Sequence, residues 1–502
     1  MVMPRKKLYM VGVDSAPLWI VKYLCGKYRM RGFDTFFEDG FLDEITSTLP
    51  PLSGPAWPSI YTGLEPREHG IIDFLSLGRN YEKADLLFLD TVRHPPFWDT
   101  LSDDGLKSLV VTPVMITNPS NSENVDMMTG WPLKPRFSSD AVKAEARKSG
   151  FLGEPEIEGV LKAGTLSVEE GSSRYAKSIR DRARFSKNMI ERNDYDLALV
   201  CFSETDRMQH YITAKNWEAL LMPLYNEVSE FLVWLAEYAR GVGGDYEIVL
   251  FSDHGSQQIK NKFLLNAWLV NSGYAKLKDS IIESMKKSGS GTASAKYMIR
   301  ERLFKSGLRK VYNRMPENVK STVASAAGKV FSGTSGGDYT RIHDFDFDMS
   351  GTRAFASVSN NPVGTIFIND RRFADPRVSE KEKPRLKAEL ARALGALRSP
   401  EGDRFVKKVV DGSRYYRGLN GIITPDLLVE VKPAYTIDIF YYSRNSNLMK
   451  PELAKSGDHT MQGIFGMLGS DAGYLNAYRK KKMDVCKIAP LIFKYFGVDG
   501  AH

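Results

Sequence analysis

The strongest constraint on this chain is an alternation along its length. Short apolar runs at residues 8–13, 108–113, 197–202, 247–252 and 464–468 are separated by amphipathic stretches, of which 173–192 and 219–240 are the clearest. Apolar runs buried on both faces, joined by helices of crossover length, predict a mostly parallel sheet wrapped by helices. The expected architecture is a three-layer α/β/α sandwich.

Composition narrows the class. With 502 residues, 42% hydrophobic and 26% charged, the chain has ordinary globular content and enough length for a large core. Its stability needs no metal or disulfide staple, so any metal ligands have a chemical purpose. The three cysteines, Cys25, Cys201 and Cys486, are far apart and form no CxxC pair, which points to a reducing compartment. The N-terminal apolar run breaks at Asp14 and Pro17, unlike a signal peptide, and no run is long enough to span a bilayer. The expectation is a soluble cytoplasmic protein.

The net charge of +8 is concentrated in one place. Residues 281–330 hold eleven Lys/Arg and three Glu, a difference equal to the whole excess. Within this stretch Phe304, Leu308, Val311 and Met315 recur at helical spacing opposite a basic face. The reading is an α/β core of residues 1–260 and 346–502, interrupted by a basic helical insertion or cap at 261–345. The basic stretch is a solvated cap, a gate drawing anionic substrates inward, or a peripheral contact with anionic membrane. No motif accompanies it that would mark a specific nucleic-acid partner.

Acidic and histidine residues gather at the ends of the predicted strands. Asp14 follows the first, Asp206 and His210 follow the third, Asp253 and His254 follow the fourth, and His459 precedes the last. Ligands of open α/β sheets collect at the carboxyl ends of parallel strands. Asp206 and His210 share a helix face at i,i+4, and mixed Asp/His donors suit zinc or manganese. Each residue also has an ordinary use as a turn former, helix cap or surface group; joint placement favours the metal reading. In the segment 49–74, Ser53 precedes Gly54–Pro55 and a short predicted helix at 56–61, so it is either an N-cap or a nucleophile at an anion-binding helix start. No GxSxG motif supplies a base for it, and metal activation is the available alternative. Trp57 reads as core rather than as a substrate-stacking ring, His69 as a helix-end residue, His94 as a loop residue, and His343 and His502 have no evident partners.

Taken together, VGVDSAP, PPLSGPAWPSIYTGLEPREHGIIDF, FSETDRMQH, VLFSDHG and SGDHTMQGIFGMLG, in this order, resemble the alkaline phosphatase superfamily, and within it the type I phosphodiesterase/nucleotide pyrophosphatase branch. The resemblance covers nearly the whole chain outside the basic insertion. It implies a two-metal phosphoester hydrolase. Asp206, His210 and His459 would hold one ion. Asp14, Asp253 and His254 would hold the other, with Ser53 bound to it as the nucleophile that forms a phosphoseryl intermediate. Two divalent ions are implied, zinc first and manganese second. The substrate would be a small-molecule or lipid phosphodiester. The alternatives are a monoesterase, a phosphotransferase, or a non-catalytic relative that binds a phosphate ligand or a partner.

The sequence departs from the family pattern in two places. Ser53 stands where nucleotide-cleaving members usually carry Thr, and Phe74 stands where they carry an Asn that stabilises phosphoryl oxygens. Lys262, Arg207 or a backbone N–H are the replacement donors. SGPAW lacks the arginine of sulfatase motifs, which argues against that activity, and the insertion pattern argues against a phosphoglycerate mutase.

Overall fold

The computed structural model describes residues 6–86, 94–162, 164–287, 339–341, 346–358, 362–419, 421–443, 448–451, 457–479 and 481–499. The predicted stripe of Phe304, Leu308, Val311 and Met315, most of the basic stretch, His343 and His502 lie outside these residues.

The sheet is built from β1 (Lys7–Val13), β2 (Phe41–Thr46), β3 (Ser108–Val111), β4 (Val125–Met128), β5 (Leu197–Phe202) and β6 (Tyr246–Phe251). Farther along the chain come β7 (Gly255–Gln258), β8 (Asn261–Leu264), β9 (Ala354–Ala356), β10 (Val363–Ile368), β11 (Val406–Asp411) and β12 (Leu427–Val431). Then follow β13 (Tyr435–Asp438), β14 (Met449–Pro451), β15 (Gly457–Thr460), β16 (Gln462–Gly469) and β17 (Met483–Asp484). Eight of these form one sheet in the order β17-β2-β16-β6-β1-β5-β3-β4. From β6 to β4 all neighbours are parallel, whereas β16 runs antiparallel to both β2 and β6. The sheet is therefore mainly parallel, as the alternation predicts, with one reversed strand inside it.

Alternate residues of β1 feed two cores. Tyr9, Val11 and Val13 join the apolar cluster under the helices α1 (Leu18–Tyr28), α3 (Val168–Arg192) and α5 (Trp217–Val242). Leu8 and Met10 join the opposite cluster with helices α2 (Ser53–Thr62) and α8 (Ile488–Phe496). Both faces are covered, so the strand reads as an unbroken apolar run. Gly12 lets α2 approach closely: a Cβ there would lie 2.8 Å from the Trp57 ring.

A second, antiparallel sheet has the order β9-β10-β12-β11. It packs with α6 (Leu265–Asn271) and α7 (Lys383–Gly395) around a third core. Phe263, Leu265, Trp268 and Leu269 are buried in that core beside Ile366, Leu390 and Val429. Residues 261–271, expected to open the helical insertion, thus share an apolar interior with segments from the far side of it. The cause is the burial of their large apolar side chains.

One strand residue is ill-suited to its surroundings. Glu247 on β6 is buried; its Oε1 accepts from Asp471 N at 3.2 Å, while no donor reaches Oε2. Burial raises its pKa from 4.5 to about 7, and Asp471 and Asp245 add to the effect. A raised carboxyl pKa contributes stability that is full below the unfolded value and is lost as pH climbs through the folded one. From pH 4.5 to about 7 the protein is expected to lose about 2–3 kcal/mol that Glu247→Gln retains. Parallel denaturant melts of the two proteins across that range check this. Curves with equal pH dependence would rule it out.

Candidate active site

Parallel register brings three strand ends to one edge. Val13 of β1 is level with Phe202 of β5, and Gly12 with Phe251 of β6. Asp14, the segment starting at Ser203, and Ser252–His254 therefore leave the sheet together. Side-chain bonds fix them: Thr205 Oγ1 donates to Asp14 O (2.6 Å), Gln209 Nε2 to Ser15 O (2.6 Å), Ser15 N to Asp253 Oδ1 (3.1 Å), and Ala16 N to Ser252 Oγ (3.0 Å).

His459 arrives from far along the chain on a strand of its own. β15 pairs antiparallel with β7, placing His459 opposite Ser256, just past His254. The strand crosses tightly over helix α4 (Glu204–Gln209), which carries Asp206. A Cβ on Gly457 would come 1.8 Å from Gln209 O, so only glycine fits.

Six predicted ligands meet here. Asp206, His210 and His459 offer donor atoms within 4.8 Å of one another, and so do Asp14, Asp206 and His254. Asp206 thus belongs to both groups. His459 Nε2 lies 3.3 Å from Asp206 Oδ1 and 3.4 Å from His210 Nε2, and His210 Nε2 lies 3.4 Å from Asp206 Oδ2. Asp253 joins the second group, its Oδ2 being 3.1 Å from His254 Nε2. Ser53 Oγ sits 3.4 Å from Asp14 Oδ1 and 3.2 Å from His254 Nε2.

The outer nitrogens set the tautomers. His459 Nδ1 faces Pro51 O at 3.0 Å, and His254 Nδ1 faces Gly255 O at 3.1 Å. Carbonyls only accept, so both Nδ1 atoms donate and each Nε2 is turned toward the cluster. Burial raises Asp14 well above the usual carboxylate range, and Asp253 and Asp206 raise it further. Burial and Asp206 likewise take Asp253 to about 7. Asp206 is held well below its ordinary value although burial opposes this, because His210 and His459 lie against it. His254 is pushed down by burial and by His459; His459, against its own burial, is raised to about 9 by Asp206.

Carboxylates that raise one another and inward-facing imidazole nitrogens make a site short of positive charge. Asp253 Oδ2 is buried, and the nitrogen nearest it, His254 Nε2, carries no proton in this tautomer, so no donor reaches it. This orphaned oxygen and the N/O donor set fit divalent cations.

Ser53 differs from its sequence reading in one respect. It is the first residue of α2, with Leu52 at the cap position, and its hydroxyl makes no capping bond. The first intrahelical bond is Ala56 N to Leu52 O at 3.0 Å, so the Ser53 and Gly54 amides precede it. Trp57 packs in the core as expected, but its Nε1 also donates to Asp14 Oδ2 at 3.1 Å. His69 is buried behind α2, with Nε2 3.0 Å from Ser59 Oγ, away from the cluster.

The cluster opens into a cleft of about 590 Å³. It is lined by Glu158, Arg207 and Tyr211, by Lys262, Thr436 and Asp438 from β8 and β13, and by Phe74 and Trp131, which meet edge to face at 5.7 Å. Lys262 and Arg207, the predicted phosphate contacts, both line it. Arg207 is paired with Glu154 at 2.8 Å and lies over the Trp131 ring. Sequence reading missed the support beneath it. Arg182, fully buried on α3, bonds Glu154 and Glu204 at 2.7 Å each, and Ser203 Oγ donates to Glu154 at 2.7 Å. This network braces α4. Its only sequence signal is a charged residue on the apolar face of a long helix.

A mainly parallel sheet with Asp and His at its strand ends around a buried serine is the arrangement of the alkaline phosphatase superfamily. The chain belongs to the type I phosphodiesterase/nucleotide pyrophosphatase family, whose profile matches residues 8–346. It is accordingly a phosphoester hydrolase of the phosphodiesterase/pyrophosphatase type. Among solved structures, phosphonoacetate hydrolase from Sinorhizobium meliloti 1021 in complex with phosphonoacetate superposes with TM-score 0.55 at 14% identity, covering 99% of this chain and 96% of that one. Murine ectonucleotide pyrophosphatase/phosphodiesterase 5 gives TM-score 0.48 at 13% identity, with the same coverage. No curated protein matches the chain in sequence.

Proposed function

We propose that the chain is a divalent-metal-dependent phosphodiesterase in which Ser53 attacks phosphorus in line and forms a phosphoseryl intermediate. The observation that carries this reading is the position of Ser53 Oγ, beside Asp14 and His254 at the start of α2. Asp206, His210 and His459 are assigned to one ion, and Asp14, Asp253 and His254 to the other, with Asp206 within reach of both. Zinc suits three imidazoles and three carboxylates, with manganese as the alternative. When bound, such a pair of ions favours a deprotonated nucleophile and offsets charge on the leaving oxygen.

The chain's own residues supply the rest. Trp57 Nε1 and the Pro51 carbonyl orient Asp14 and His459. The Ser53 and Gly54 amides donate to phosphoryl oxygens at the helix start. Lys262 lines the cleft as a phosphate contact, and Arg207, already matched by Glu154, stiffens the cleft more than it grips phosphate. Space beyond the cluster suits a second ester substituent, which favours diesters over monoesters.

The expected result is that the purified protein contains or takes up zinc or manganese. It hydrolyses a bis-nitrophenyl phosphate faster than nitrophenyl phosphate and loses that activity on chelation. Elemental analysis and the two assays decide this. Failure to bind metal after reconstitution would remove the ion assignments, and a monoester preference would remove the diester reading.

A further inference from the structure

His69 is 1% exposed and takes no part in the chemistry above. Its two nitrogens have fixed roles. Ile71 N donates to Nδ1 at 3.1 Å, so Nδ1 carries no proton and the hydrogen of the neutral ring sits on Nε2. Nε2 therefore donates to Ser59 Oγ at 3.0 Å, and the Pro55 carbonyl offers the same ring a second acceptor. Burial, with His94 adding to it, holds the pKa of His69 down to about 3, so the ring stays neutral near pH 7. A serine and a histidine at this distance make a nucleophile and its base only in the opposite tautomer. Here Nε2 already holds a hydrogen, and Ser59 is fully buried. The pair is a tie between segments, not a second catalytic centre.

What it ties is the helix that carries Ser53. The first turns of α2 are poor in bonds of their own. Pro55 and Pro58 have no amide hydrogen, and the Ser53 and Gly54 amides precede the first intrahelical bond. Of residues 53–58, only Ala56 and Trp57 can donate within the helix. Such a start has to be held from outside. Trp57 Nε1 bonds Asp14 at 3.1 Å. The segment 69–74 meets α2 at two levels: His69 bonds Ser59 and Pro55, and Phe74 lies against Gly54, where a Cβ would come 3.2 Å from Phe74 N. Ser59 also bonds Cys486, in the turn before α8, so its hydroxyl is engaged by two partners.

We propose that His69 is a positioning residue for phosphoryl transfer: by bonding Ser59 and Pro55 it fixes the first turns of α2, and with them the Ser53 hydroxyl against Asp14 and His254. Ser53 Oγ stands 3.4 Å from Asp14 Oδ1 and 3.2 Å from His254 Nε2, a fit that a small shift of α2 would spoil. Misplacement of a reacting group by about 1 Å can cost ~10²-fold in rate. The role rests on Ser53 being the nucleophile, as proposed above.

The test compares His69→Gln with His69→Leu in the full, metal-loaded chain. Each is assayed on bis-nitrophenyl phosphate at a temperature where circular dichroism shows it folded. Glutamine carries its Nε2 the same number of bonds from the backbone and keeps the donor; leucine fills the space without one. The expected kcat is within ~threefold of wild type for His69→Gln and lower by ~10²-fold for His69→Leu, with metal content unchanged in both. Ser59→Ala, which removes the acceptor, should also lower kcat, and adding it to His69→Leu should cost little more. Wild-type kcat in His69→Leu would overturn the proposal. So would equal losses in His69→Gln and His69→Leu, or a loss matched by missing metal, since each marks a structural role only. Should His69→Leu not fold, wild-type kcat in Ser59→Ala overturns the proposal in its place. Ser53→Ala is measured alongside. Full turnover there would fail the nucleophile reading, whereas an inactive Ser53→Ala beside a fully active His69→Leu fails the positioning role alone.

Discussion

Replacing Ser53 with alanine is expected to lower turnover of a soluble phosphodiester by ~10³-fold or more while leaving metal content unchanged. Ser53 Oγ is the hydroxyl that lies against Asp14 and His254, and the side chain is buried at the base of the cleft. It makes no capping bond, so its removal does not cost the helix a cap. Alanine is also small enough for the site to keep its shape. The change should therefore appear in kcat rather than in KM or in thermal stability. Rapid-quench analysis with a labelled substrate adds a second readout: wild type should retain label on the chain, and Ser53→Ala should not. Equal turnover in the two proteins would dismiss Ser53 as nucleophile.

The second large effect concerns Asp206. Because it belongs to both donor groups, Asp206→Ala is expected to lose both ions, whereas His210→Ala loses one. Elemental analysis of the purified variants should give metal contents in that order, with wild type highest. Activity of Asp206→Ala should drop by at least ~10²-fold. The variant also leaves His459 without the carboxylate that raises its pKa, so the imidazole has less reason to hold a proton against burial. A variant that kept a full metal complement would show that Asp206 is not shared.

Much of this cluster is legible in the sequence because its carboxylates and imidazoles sit at strand ends. Asp14, Asp206, Asp253 and His254 follow apolar runs whose β character was plain, and parallel register alone brings such ends together. His459 was harder. It was placed just before a strand, yet it lies on a separate short strand of its own, paired with β7. Four residues, Gly-Asp-His-Thr, carry no apolar alternation from which pairing could be read. The reversal of β16 was likewise invisible, since a buried strand has the same pattern in either direction.

The boundary expected at residue 261 falls on a segment whose pattern is ambiguous for a related reason. Residues 263–269 are apolar and helix-like, which suits a cap as well as a core, and only their contacts with β10 and β12 distinguish the two. Ser53 was read as either a cap or a nucleophile. Its place inside the first turn of α2 frees the hydroxyl from capping, a difference of one residue that patterns do not resolve. Arg182 and Glu154 were missed because buried ion pairs between distant segments leave no periodic trace.

The pairing of β15 with β7 has a consequence in time. The Pro51 carbonyl that fixes His459 is 408 residues away along the chain. At ~5–20 residues per second, a ribosome takes roughly 20–80 s to make that stretch. Asp206 and His254 are made within this interval, whereas β16, which lies between β2 and β6 in the sheet, follows His459. Until then the contact between Asp206 and His459 cannot form.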